Sequence, residues 1–418
     1  MSLNKFLSLC ISCVTLSSFA ADWPAYRGPL GDGVSPEKIP GGWPETGLKR
    51  LWTAPAQTGF SSFTIADGRA FTLVRRDIEG NGHEICVAMD ADSGKELWTA
   101  KLSLAKYDGG GDSGGGGDGP RSTPIFDSGK VYVFDAQLVL WCLDAKTGKE
   151  VWRRDLLKDN AGKKFTWQNS ASPVIDGNIL FAAGGGAGQA LLGINKKTGD
   201  VIWKGQDDGA THSTPVLAKI GGVRQVIFFT RTGLVSVAPK TGDVLWRYKF
   251  PFKTSTGISP VVAGDLVYCS AGYGVGAAVV RVSRKNGAFE ATEVWRKPNE
   301  LLSHWSTPVV KDGYLYGLFG HAQYGKAPLK CVELLTGKEM WSESGFGPGG
   351  LVLTGNRLLV LGDKGQLVLV ETEPSAYKEV SRMQTVAGKC WSTPSISHGR
   401  IFLRSTTEGA CYEIAAAK

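Results

Sequence analysis

The stretch STPIFDSGKVYVFDAQLVLWCLDAKTGKEVW, Ser122–Trp152, decides the fold. It opens on Ser-Thr-Pro and two apolar residues, then turns through a D-G-like step at Asp127–Gly129. Two apolar runs follow, the second ending at Asp144, before a Thr-Gly-Lys turn and an apolar residue ahead of Trp152. Val, Ile, Leu, Tyr and Phe dominate the runs, as a pleated, half-buried surface prefers. No segment sustains a 3.6-residue period, so the unit is four strands and no helix.

Outward from this copy, the same unit fills the chain. The Ser-Thr-Pro phase recurs from Ser61, Ala171, Ser213, Ile258, Ser306, Gly349 and Ser392, making eight with Ser122. The turn glycine recurs at Gly94, Gly148, Gly199, Gly242, Gly287 and Gly337, and Trp follows each at 98, 152, 203, 246, 295 and 341. In the seventh unit Ser381 stands where Trp belongs. Asp67-Gly68, Asp176-Gly177 and Asp312-Gly313 are tight-hairpin signals, because such turns need positive φ. A repeat of about 45 residues with four antiparallel strands is a propeller blade. The fold class is therefore all-β, an eight-bladed β-propeller of four-stranded antiparallel blades.

The eighth unit, from Ser392, has only three strands, whereas KRLWTA at Lys49–Ala54 is a Trp-bearing outer strand with no blade of its own. The N-terminal strand should complete the last blade, burying two edges that an open ring would expose. The Trp residues in phase, Trp52 included, should mortar blade to blade, each giving its indole N–H to a carbonyl. This divides the chain into 1–20, an export signal; 21–48, an N-terminal extension; and 49–418, the propeller. The signal reading rests on Lys5, the apolar run from Phe6 to Phe19 and small residues at Ser18 and Ala20. A lipid anchor at Cys13 competes with it, although Cys10 stands where such a signal has Leu. The apolar run is too short for a membrane span.

With 47 Lys and Arg against 39 Asp and Glu, the basic excess is mild and scattered, which argues against nucleic acid. Beyond the signal, Cys86, Cys142, Cys269, Cys331, Cys390 and Cys411 form neither CxxC nor CC and lie in apolar strands. They read as small buried hydrophobes, with a disulfide between neighbouring strands left open by the export route.

The combination of S-x-P-V, D-G-x-V-Y, A-L-D-x-x-T-G-K and L-W resembles the pyrroloquinoline-quinone (PQQ) type propeller repeat over roughly residues 49–418. Members of that family include quinoprotein alcohol dehydrogenases and the outer-membrane assembly-factor lipoprotein of bacteria. DWPAYRGPLGDGVSPE, Asp22–Glu37, resembles the start of exported bacterial propellers of this type. The resemblance implies two functions. One is a non-catalytic binding or scaffolding propeller, periplasmic or secreted, with an envelope or extracellular protein or peptide partner. The other is a PQQ-dependent dehydrogenase of alcohols or sugars, with calcium. The dehydrogenases carry vicinal cysteines over the quinone, and this chain has no adjacent pair.

In a propeller the innermost strands line a central channel, so residues just before each Ser-Thr-Pro phase should gather at one mouth. They are Phe60, Arg121, Ser170, His212, Gly257, Trp305, Pro348 and Trp391, with Trp167, His304, Lys253 and Lys389 close in sequence. Arg121, Trp167, His212, Trp305, Trp391 and Lys389 form the candidate ligand site, aromatic faces and cations for a small planar anion such as PQQ. The competing reading is that Trp305 and Trp391 plug the channel. His212 and His304 have no evident third partner for a metal. The Gly-rich insert Tyr107–Arg121 reads as a surface loop and not as a calcium site at Asp108, Asp112 and Asp118. Ala182–Ala190 and Ser270–Ala278 read as hairpin loops between strands.

Overall fold

The computed structural model describes residues 21–39, 41–107, 118–320 and 327–414. The signal reading, Cys13 and residues 108–117 of the Gly-rich insert lie outside these. Among the described residues one four-residue helical turn, Leu156–Asp159, accompanies eight sheets, each built on four antiparallel strands. Blades 1 to 7 span Thr64–Leu104, Ile125–Asp155, Val174–Gly205, Val216–Lys249, Val261–Lys297, Val309–Glu343 and Gly350–Gln384. Blade 8 joins Ser395–Glu413 to the N-terminal strand Arg50–Pro55. Trp52 pairs with Cys411 and Arg50 with Tyr412, so the ring closes as the repeat requires.

Strand burial follows position in the blade. The third strand of blade 2, Val139–Asp144, is buried along almost its whole length because neighbouring blades cover both faces. The outermost strand, Glu150–Asp155, buries only Trp152 fully. In every blade the pairing of the third and outermost strands slips by one residue immediately before the Trp position. A bulge there re-aims the next side chain, and it swings the indole toward the neighbouring blade.

The mortar expectation is met at six of seven tryptophans. Trp52, Trp98, Trp152, Trp203, Trp295 and Trp341 donate to the carbonyls of Ala91, Ala145, Lys196, Pro239, Leu334 and Glu373 at 2.8–3.0 Å. Each acceptor lies in the next blade. The turn glycine is needed at this seam: a Cβ on Gly148 would fall 2.5 Å from the Trp98 ring. Blade 5 departs from the pattern. Its outer hairpin pairs as far as Lys285–Ala288, which carries Gly287 past the seam, and a Cβ there would meet nothing within 4 Å. Trp246 instead donates to Gln225 Oε1 of its own blade, at 2.6 Å.

Blade 7, lacking Trp at Ser381, is completed from the extension. Trp43 N donates to Ser381 Oγ at 3.1 Å, and the Trp43 ring joins the hydrophobic cluster between blades 7 and 8. All six described cysteines are buried free thiols. Burial pushes the Cys142 thiol up to about 11, as expected of a packing residue.

Candidate functional site

The extension does more than fill blade 7. Trp23 exchanges two backbone hydrogen bonds with Ile65 of blade 1, and Pro24 O accepts from Phe126 of blade 2. The fully buried Arg27 then donates to Thr307 O and Pro308 O at the start of blade 6. Val34–Ser35 pair in parallel with Leu353–Thr354 on the axial edge of blade 7. The Glu37 carboxylate accepts from the His398 and Gly399 amides of blade 8. Blades 2 and 6 face each other in an eight-membered ring, so the segment crosses the axis. Tyr26 stands in the channel and floors it.

What remains is a cavity of about 560 Å³ along the axis, within the usual range for a small-molecule site. Its lower wall is a layer of hydroxyls from the second position of the Ser-Thr-Pro phase. Ser62 Oγ accepts from Thr393 N, Ser172 Oγ from Thr123 N, and Thr214 Oγ1 from Ser172 N, each at 2.9 Å. Blade thus hooks to blade around the axis. Blade 7 has Gly350 here, where a Cβ would fall 2.5 Å from Ser392 O.

Aromatic rings crowd the opposite end. Phe60 stacks on Trp391 at 4.9 Å between centroids, and Trp391 meets Trp305 at 4.6 Å. Across the cavity Trp167 lies nearly parallel to Tyr273, at 6.0 Å and 10°. Both hold left-handed backbone, φ 65° and 56°, which costs about 1–3 kcal/mol at a bulky residue and clusters at binding sites. Arg121 braces this corner, donating to Trp167 O and to Asp118 Oδ1, both at 2.6 Å. His212 Nε2 donates to Thr166 O at 3.0 Å, which leaves Nδ1 as its acceptor. Burial, and then the Arg121 charge, lower its pKa to about 4, so the ring is neutral at pH 7.

Of the six candidate residues, Arg121, Trp167, His212, Trp305 and Trp391 line the cavity. Lys389 is not in the lining but flanks it, its Nζ 4.5 Å from the Trp391 ring centroid. Lys253 is exposed and outside the lining. Sequence reasoning missed Tyr26 and Tyr273. Tyr273 had a faint signal in the Gly-rich hairpin loop Ser270–Ala278; Tyr26 had none. The resemblance also implied PQQ with calcium. A calcium–quinone pair needs carboxylate ligands and cations for the quinone carboxylates. Among the described residues the cavity lining holds no Asp or Glu, and Arg121 is its one fixed cation, braced on Asp118. No three His, Cys, Asp or Glu converge among the described residues. The residues present do not fit that pair.

The family described as outer membrane protein assembly factor BamB matches residues 82–321. The chain belongs to this family. A BamB from Moranella endobia is 26% identical over 62% of this chain and 66% of its own length. A quinoprotein ethanol dehydrogenase from Pseudomonas aeruginosa is 27% identical over 32% of this chain and 23% of its own. The chain spans less than two thirds of the length of these curated relatives. Among solved structures, the quinohemoprotein alcohol dehydrogenase of Comamonas testosteroni superposes with a TM-score of 0.65 at 14% identity, covering 95% of this chain and 81% of that one. That likeness establishes a shared fold, which many activities use. No helix among the described residues is long and apolar enough to cross a membrane.

Proposed function

We propose that this is an exported, non-catalytic binding propeller of the bacterial envelope, acting through its axial pocket and the loops around the mouth. One observation carries the reading: the channel is floored by its own N-terminal extension and walled by aromatics and hydroxyls, with no carboxylate among the described residues of the lining. Such a cavity can hold a ligand by stacking and hydrogen bonds. Among the described residues it offers no general base of the carboxylate kind and no carboxylate for calcium. The named role of the BamB relatives, outer membrane protein assembly, supports a scaffolding task in the envelope. The signal reading of residues 1–20 supports export.

Site-specific photo-crosslinking in the native host tests this. A crosslinker at position 389, beside the mouth, should capture an envelope component. One at Leu30, exposed on the extension at the opposite end, should capture far less. Equal capture from both ends would refute use of the mouth. The rival reading, a PQQ-dependent dehydrogenase, has the quinoprotein likeness in its favour. Sustained dye-linked turnover with PQQ, calcium and an alcohol or sugar would overturn the proposal.

A further inference from the structure

We infer that the axial pocket binds the end of a neutral glycan, a terminal pyranose ring seated against the tryptophans with its oxygens on the buried hydroxyl layer. This rests on the reading that the axial pocket is the binding site.

Hydrogen-bond polarity comes first. A Ser or Thr hydroxyl carries one proton and two lone pairs. In Ser62, Ser172 and Thr214 one lone pair is taken by a backbone N–H of the adjacent blade. None of the described residues accepts a proton from any of the three. Ser306 Oγ has no hydrogen-bond partner among the described residues. All four side chains line the cavity and are at least nine-tenths buried. Each of the first three therefore turns a donor and one remaining lone pair toward the cavity. Buried donors without partners are costly, so the layer asks for an oxygen-rich occupant.

Charge narrows the class. His212 is neutral and Arg121 is engaged by Asp118, so an anion finds little compensation. A cation finds no carboxylate among the described residues of the lining. Four backbone carbonyls at the mouth each already hold a hydrogen bond: Thr166 O from His212, Trp167 O from Arg121, Pro348 O from Trp305, and His304 O from Gly257 N. A peptide offers N–H donors and C=O acceptors at fixed, alternating backbone positions, which match a layer of donor-and-acceptor hydroxyls less closely. A sugar hydroxyl both gives and takes a proton, which matches the hydroxyl layer group for group.

Shape agrees. Trp167, Trp305 and Trp391 are only partly buried, and the negative faces of such rings suit the C–H face of a pyranose. Tyr26 closes the far end, so a polymer cannot thread through and only its terminus, or a free saccharide, can enter.

The test is calorimetry and tryptophan fluorescence on the full chain. The probes are maltose, cellobiose, N,N′-diacetylchitobiose and a neutral-glycan array, with sorbitol, digalacturonate and a capped neutral peptide for comparison. At least one neutral saccharide should bind, and sorbitol, which has no ring, should not. Ser306→Ala should weaken binding about three- to tenfold, the worth of one hydrogen bond, with an unchanged melting temperature because its hydroxyl makes no bond in the fold. Trp391→Leu should abolish binding. Silence across the neutral glycans, tighter binding of the peptide or digalacturonate, or unchanged affinity in both variants would overturn the inference. Capture of an envelope component from position 389 alongside a silent glycan panel would sink the glycan and leave the binding-propeller reading standing.

Discussion

Replacing Trp52 by Ala tests the closure of the ring directly. The indole is 6% exposed, donates to Ala91 O at 3.0 Å and lies against Phe63 and Phe402 at centroid distances of 6.2 and 6.0 Å. It also fills the space beside Gly94, where a Cβ would fall 2.6 Å from the ring. Truncating a buried Trp costs about 3–5 kcal/mol. The weak second donor to Ala91 O, Arg400 at 3.4 Å, softens the loss of the hydrogen bond. Unfolding entropy of about 2 cal/mol/K per residue makes about 0.8 kcal/mol/K for a chain of this length, so the melting temperature should fall by about 5 °C. Trp341→Ala is the control: this indole occupies the same position in blade 6 but is partly exposed, and its hydrogen bond is at the surface. Its loss should cost less than half as much. Differential scanning calorimetry of both variants decides. Equal shifts, or a Trp52→Ala shift below about 1 °C, would mean that the N-terminal strand does not stabilise the ring.

Gly148→Ala and Gly287→Ala share a positive φ, 70° and 86°, but only the first Cβ meets a tryptophan. Urea melts should show about 1 kcal/mol lost at Gly287, the left-handed backbone cost, and clearly more at Gly148. Burial, with the Asp135 charge adding to it, raises the Glu84 pKa to about 8. The folded state then holds a proton that the unfolded chain releases above about 4.5, so this contribution is complete below that pH and declines up to about 8. Glu84→Gln should flatten that part of the stability–pH curve. Arg27→Met removes the donors that Thr307 O, Pro308 O and Asp32 O accept from. Limited proteolysis should then cut within residues 21–48 while the blades stay intact; an unchanged cleavage rate would show that Arg27 does not hold the extension across the channel.

What the amino-acid sequence determined by itself is everything that repeats. Eight Ser-Thr-Pro phases, the glycine turns and the in-phase tryptophans report contacts made once per blade, so periodicity exposes them. The missing eighth outer strand and the orphan Trp52 strand exposed the closure by the same logic. The mouth residues were legible too, since the phase puts Arg121, His212, Trp305 and Trp391 at equivalent places. Features that occur once had no such signal. Gly287 looked like a seam glycine because its neighbours matched, yet the longer hairpin of blade 5 carries it outward. The passage of residues 21–48 under the ring, Trp43 beside Ser381, and Tyr26 as the floor depend on contacts between distant segments that share no period. Tertiary structure alone decided that the channel is blind. It also decided the polarity of the hydroxyl layer: a hydroxyl's free proton is defined only once the neighbouring blade's N–H has taken its lone pair.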